Sequence, residues 1–169
     1  MSTPPPKLSY QWIDSPVGQL KLIANDKALV AVLWATDKPN RVLLGEMQHD
    51  PNHPILKLTA QQLHEYFHGE RQQFDVPLEF YGTAFQKAVW AELLKIPFGE
   101  TRSYLQIAEI LNNPKAVRAV GAANGKNPIS IIAPCHRVIG ANGSLTGFAG
   151  GLGNKQKLLA LEQAQQSLF

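Results

Sequence analysis

At 169 residues, 44% of them apolar, the chain is long enough for one ordinary domain or two small ones and can build a core without staples. Its single cysteine excludes an internal disulfide and a cysteine-rich metal site, and no apolar run nears the roughly 20 residues that cross a bilayer. The net charge of +3 is unevenly placed: residues 1–82 carry seven Lys/Arg against nine Asp/Glu, residues 83–169 nine against four, and all five aspartates lie in the first part.

The first third predicts short strands at Leu8 to Ile13, Leu20 to Ala24 and Ala28 to Trp34, rich in Leu, Val, Ile and aromatics. Turn residues at Asp14–Gly18 and Asn25-Asp26 make them an antiparallel meander. Thr36 to Pro54 is polar and proline-bearing and reads mostly as a connection. A helix from about Ile55 to Phe67 follows, stopped by Gly69.

The second half changes character. Thr83-Ala84-Phe85-Gln86 has the form of a capping box, and Phe85, Val89, Leu93 and Ile96 mark one face of a helix that ends before Pro97. Ser103-Tyr104-Leu105-Gln106 repeats that form and opens a short helix to about Leu111; after Asn112-Asn113-Pro114 another runs from about Lys115 to Asn124. Two short helices joined by a tight turn outline a helix-turn-helix within the basic half. Ile129 to Ile139 reads as a buried segment, and a last helix spans roughly Asn154 to Gln165. The charge asymmetry suits either a surface facing a polyanion, such as nucleic acid, or an ordinary solvated basic face.

Two motifs carry chemistry. His64-Glu65-Tyr66-Phe67-His68 matches the H-E-x-x-H helix of zinc proteases, but Gly69 ends the helix at once and a third ligand is lacking, so the expectation is a solvated helix surface and no metal. The other is Cys135, followed by His136 and Arg137. Taken by itself it is either a buried inert residue or a nucleophile whose thiol pKa the adjacent positive charge lowers. One thiol and no apolar leader point to a reducing, cytoplasmic setting.

Pro134-Cys135-His136-Arg137-Val138, with Arg118-Ala119-Val120-Gly121 and Asn127-Pro128 before it and Gly150-Gly151 after it, resembles the O6-alkylguanine-DNA alkyltransferases, also called methylated-DNA–protein-cysteine methyltransferases. The match covers about residues 80–165 and is closest in look to the bacterial stand-alone type, while the N-terminal half is similar to the family's smaller sheet domain in outline only. The resemblance implies an α+β fold: residues 1–80 as a mainly structural, RNase H-like domain of antiparallel sheet plus helix, and residues 81–169 as a mostly helical, winged-helix-like domain for DNA binding and alkyl acceptance.

It also implies direct reversal of DNA alkylation, in which O6-alkylguanine is flipped out of the duplex through the minor groove and its alkyl group passes irreversibly to Cys135. Arg118 would fill the gap left by the flipped base, Tyr104 would push on the adjacent phosphate, and Ser103, Ala119 and Asn124 would belong to the DNA-binding surface. Cys135, His136 and Glu162 would form the family's cysteine–water–histidine–glutamate chain, with Asn127 tying together the backbone around it. The loop from Leu145 to Gly150 would wall the base pocket through Phe148, Ala149 and Gly150, joined by Val138 and Ser130. The best-known mammalian members place tyrosine and serine at Phe148 and Ala149 and proline at Ser130, so a side-chain hydroxyl contact to guanine O6 is missing here and benzyl-type inhibitors should act weakly. No cofactor and no zinc are implied. The partner would be double-stranded DNA bound by a monomer without any membrane, with cooperativity along DNA and action on O4-methylthymine left open. One rival reading is a helix-turn-helix damage-recognition or regulatory protein that transfers nothing, although such relatives replace the cysteine; the other is a cysteine hydrolase, which would turn over and would not need Arg118 and Tyr104 on a helix pair.

Overall fold

The computed structural model describes residues 7–143 and 148–166, which fall into two compact units, Met1–Phe80 and Tyr81–Phe169. In the first unit, β1 (Ser9–Ile13), β2 (Leu20–Ala24) and β3 (Leu29–Trp34) form an antiparallel meander. The β2–β3 turn is built by Asn25, whose Oδ1 accepts from the N–H groups of Lys27 and Ala28, both at 2.8 Å, while its Nδ2 donates to Glu79. One feature of the sheet departs from the sequence reading. The presumed connection contains β4 (Gln48–His49), which pairs in parallel with the outer side of β1 and gives the order β3-β2-β1-β4. Two residues are too few to show an alternating pattern.

Helix α1 (Pro54–Phe67) buries Leu56, Leu63 and Tyr66, with contacts to β1, β2 and β3. Its start fits its sequence: Pro54 opens the helix, where a missing N–H costs nothing, and His53 Nδ1 accepts from Ile55 N–H at 3.1 Å. Its end uses Gly69, at φ 77°, a backbone region that favours glycine.

In the second unit, α2 (Ala84–Leu93) and α3 (Tyr104–Ile110) are each opened by a complete capping box, Thr83 with Gln86 and Ser103 with Gln106. Between α3 and α4 (Val117–Gly125) the chain turns at Asn112, whose φ of 59° suits asparagine better than most residues. Trp90 of α2 is buried and donates from Nε1 to the Ala123 carbonyl at 2.8 Å, pinning α2 to α4. Among the described residues the unit also contains a 3-10 turn at Cys135–Arg137, β6 (Val138–Ile139) and the final helix α5 (Leu152–Gln166). β6 pairs in parallel with β5 (Arg102–Ser103), Arg102 facing Val138 and Ser103 facing Ile139. This two-residue ladder ties the first residues of α3 to the segment just after Cys135. Among the described residues no helix is long and apolar enough to cross a membrane.

Candidate active site

Cys135 is presented by an irregular segment whose backbone Asn127 holds in place. The buried amide of Asn127 donates from Nδ2 to the Ala133 carbonyl at 2.8 Å and to the Ile129 carbonyl at 3.4 Å, and its Oδ1 accepts from Ile129 N–H at 3.1 Å. Within that clamp the chain makes two tight turns. Ile131 has φ 73°, and Ile132 N–H bonds back to the Ser130 carbonyl at 2.8 Å, a γ-turn of the rare positive-φ kind and a strained place for a β-branched residue. Pro134, at φ −81° and ψ 68°, centres an inverse γ-turn closed by Cys135 N–H on the Ala133 carbonyl at 2.8 Å. Cys135 emerges buried at the start of the 3-10 turn.

The next two side chains meet the last helix. Lys155, Leu158 and Glu162 lie on one face of α5 and are all buried. His136 Nε2 lies 2.8 Å from Glu162 Oε2, and Arg137 grips both carboxylate oxygens, Nε to Oε1 and Nη2 to Oε2, each at 2.9 Å. Arg137 Nη1 also donates to the Ile96 carbonyl at 2.6 Å. Burial by itself raises Glu162, but hydrogen bonds from His136 and Arg137, reinforced by charge, outweigh it and bring the carboxyl down to about 2. His136 moves down from its ordinary 6.5 because burial disfavours its charged form more than Glu162 favours it. An ionised carboxylate only accepts, so His136 carries its proton on Nε2 and keeps a lone pair on Nδ1. Nδ1 is buried and has no hydrogen-bond partner in the protein. A neutral imidazole oriented by a carboxylate, one residue from a thiol, is equipped to take that thiol's proton.

Arg137 adjoins the thiol in sequence, but its guanidinium is committed to Glu162 and Ile96 and does not act on the sulfur through a direct contact. Asn124 is likewise relocated. It is buried, not part of an outer DNA-facing surface, and its Nδ2 lies 3.5 Å from the Cys135 carbonyl, because it occupies the inner face of α4 beside Ala123. Lys155 was missed altogether. Its ammonium is fully buried and donates to the Val138 carbonyl at 2.6 Å, 5.9 Å from the centre of the Phe148 ring. A lysine on a polar helix carries no sequence signal of such burial.

Phe148 and Ala149 are half-buried and Gly150 buried, and the turn they form closes by Gly151 N–H on the Phe148 carbonyl at 2.9 Å before α5 begins. Val138 and Ser130 are buried in the cysteine segment. Residues 145–147 of the presumed pocket loop lie outside the described residues. On the helix pair, Ser103 caps α3, Tyr104 is its first residue, and Arg118 and Ala119 are exposed on the first turn of α4. The Tyr104 ring rests over Gly121 of α4, where an added Cβ would sit 3.9 Å from it, an ordinary contact.

In the other unit the H-E-x-x-H residues are engaged otherwise. Glu65 pairs with Arg71 at 3.0 Å, and His68 donates from Nδ1 to the His64 carbonyl at 2.8 Å with the two rings 4.1 Å apart. Among the described residues no three His, Cys, Asp or Glu side chains come together as a metal site.

Fold and site together define a two-unit α+β protein in which a buried cysteine, backed by a histidine–carboxylate–arginine cluster, follows a helix-turn-helix. Residues 84–164 match the family model described as 6-O-methylguanine DNA methyltransferase, DNA binding domain, and residues 8–80 match its ribonuclease-like domain. The chain belongs to this family. It is 47% identical over 160 residues to the methylated-DNA–protein-cysteine methyltransferase of Mycobacterium tuberculosis strain H37Rv, covering 94% of each chain. The namesake protein of Methanosarcina mazei is 46% identical over 154 residues, which cover 91% of this chain and 96% of that one. Among solved structures, that of Mycobacterium tuberculosis OGT in complex with DNA superposes with a TM-score of 0.86 at 46% identity, covering 93% of this chain and 94% of the other.

Proposed function

We propose that this protein repairs alkylated DNA by direct reversal, moving the alkyl group of O6-alkylguanine onto Cys135 in a single irreversible event. The observation that carries the reading is the buried His136–Glu162 bond immediately after Cys135, supported by the shared family and by the likeness to an OGT bound to DNA. On this reading exposed Arg118 enters the duplex where the flipped base was, and Tyr104 presses on the adjacent phosphate and offers its hydroxyl to purine N3 as charge develops there. Ser103 and Ala119 complete the DNA-facing surface, and Phe148, Ala149, Gly150, Val138 and Ser130 surround the extruded base.

The chemistry balances as follows. The Cys135 thiol loses its proton through His136, the thiolate sulfur bonds to the alkyl carbon as the carbon–O6 bond breaks, and the bonding pair stays on the base, which takes up a proton. Glu162 keeps His136 in the right tautomer and stabilises its charged form while the proton passes. The product is a thioether that no neighbouring group hydrolyses, so one molecule repairs one lesion and needs neither cofactor nor partner subunit. Residues 1–80 serve mainly as a structural domain, and the protein works in the reducing cytoplasm on duplex DNA.

The test is transfer of labelled methyl from duplex O6-methylguanine to protein. Stoichiometric labelling of the wild type and none of Cys135→Ser is expected; full labelling of Cys135→Ser, or binding without any labelling of the wild type, would overturn the assignment.

A further inference from the structure

The charges buried around Cys135 do not close on the residues of the proton relay. Arg137 and Glu162 cancel through their two-point contact, and burial keeps His136 neutral. Lys155 then adds a further positive charge: it is 0% exposed, and no carboxylate among the described residues forms an ion pair with it. Its Nζ contact at 2.6 Å is the Val138 carbonyl, which is uncharged. That carbonyl belongs to the turn that presents the sulfur, since Val138 N–H closes onto the Cys135 carbonyl.

The other polar groups packed here bring no unpaired carboxylate, although Asn124 Oδ1 and His136 Nδ1 are buried without a hydrogen-bond partner. From α4 comes the neutral amide of Asn124, and from the chain after α2 the Ile96 carbonyl, taken by Arg137. From β5 comes Arg102, paired with Glu100 at 3.2 Å. Among the described residues, the one titratable group whose charge acts on Lys155 is Cys135. Burial drives the ammonium below its ordinary range, and the charge of Cys135 acts on it in the opposite sense. An isolated buried ammonium is costly, whereas one facing a thiolate is compensated.

We propose that Cys135 and Lys155 form a buried thiolate–ammonium pair in the unalkylated protein, making Lys155 the positioning residue that stabilises the nucleophile. His136 then serves to carry the proton out, and Lys155 holds the charge that remains. This rests on the reading of Cys135 as alkyl acceptor and adds a consequence to it. Alkylation converts the anionic sulfur into a neutral thioether, so the same event that uses up the protein strips Lys155 of its counter-charge.

The experiment is a titration of thiolate absorbance, without DNA, in wild type, Lys155→Met and Lys155→Arg, with Cys135→Ser as blank and folding checked by circular dichroism. The wild type should titrate below the free-thiol value of about 8.5, Lys155→Met at least about one pH unit higher than wild type, and Lys155→Arg closer to wild type than Lys155→Met. A wild-type midpoint at about 8.5 or above overturns the proposal whatever the variants do, as does a Lys155→Met curve superimposed on wild type. A second readout compares melting temperatures before and after stoichiometric methylation by lesion-bearing duplex. Methylation should lower that of wild type more than that of Lys155→Met, and equal losses would count against the pair. Failed methyl transfer would instead refute the repair function, leaving the DNA-free titration intact.

Discussion

Arg137 holds Glu162 by both carboxylate oxygens, at 2.9 Å each, and one of these, Oε2, is the atom that meets His136 Nε2 at 2.8 Å. The arginine thereby fixes the carboxylate that fixes the imidazole. It also anchors the far side of the site through the Ile96 carbonyl. Replacing Arg137 by Met should leave Glu162 a poorly compensated buried charge and cost about 3–5 kcal/mol in urea unfolding. Arg137→Lys should fall well short of rescue, because a point charge cannot span both oxygens and the carbonyl. Full stability of Arg137→Lys would refute the geometric part of this account.

Acid should weaken the fold in two stages. His136 is lowered from 6.5 by burial, so below that pH the unfolded chain binds a proton that the folded protein refuses, and stability starts to fall. Glu162 stands at about 2 against an ordinary 4.5, so its contribution is whole above 4.5 and drains away as pH falls toward 2. That second contribution is on the order of 3 kcal/mol. Urea midpoints followed from neutrality downward should show both stages, with the lower one missing in Glu162→Gln.

Asn127 serves the backbone before Cys135 with three hydrogen bonds, all buried. Asn127→Ala strands the Ala133 carbonyl and the Ile129 N–H, and should cost about 2–4 kcal/mol by denaturant unfolding. Asn127→Asp keeps the acceptor and loses the donor, so it should not recover wild-type stability. A loss below about 1 kcal/mol in Asn127→Ala would mean that the turn holds itself.

At Ile131 the usual ranking of small residues should invert. Its side chain is buried, so any truncation costs packing, but at φ 73° glycine is free of the strain that alanine retains. Ile131→Gly should therefore be more stable than Ile131→Ala by about 1 kcal/mol or more, in thermal or urea unfolding. The opposite order would show that the strain is relaxed elsewhere in the segment.

Arg118 is exposed on α4, so removing it should leave the fold unharmed and act only where a base must be flipped. Arg118→Ala should slow methyl transfer from duplex DNA by about tenfold or more, yet leave reaction with the free O6-methylguanine base unchanged. Equal slowing on both substrates would place Arg118 in the chemistry of the thiol instead.

Much of this was legible in the amino-acid order because it is local. Both capping boxes, the glycine that ends α1 and the asparagine turn between α3 and α4 depend on residues a few positions apart, and such rules read directly from a string. The Pro134-Cys135-His136-Arg137-Val138 run and its flanks pointed to the family in the same way. What needed the tertiary structure has no periodicity and no short spacing: the two-residue strands β4, β5 and β6, the burial of Asn124 against the cysteine turn, and the commitment of Arg137 to a carboxylate 25 positions away. Lys155 is the sharpest case. Its chemistry is written in the sequence, but its role follows from burial beside Cys135 without a carboxylate partner, and burial is a property of the packed chain.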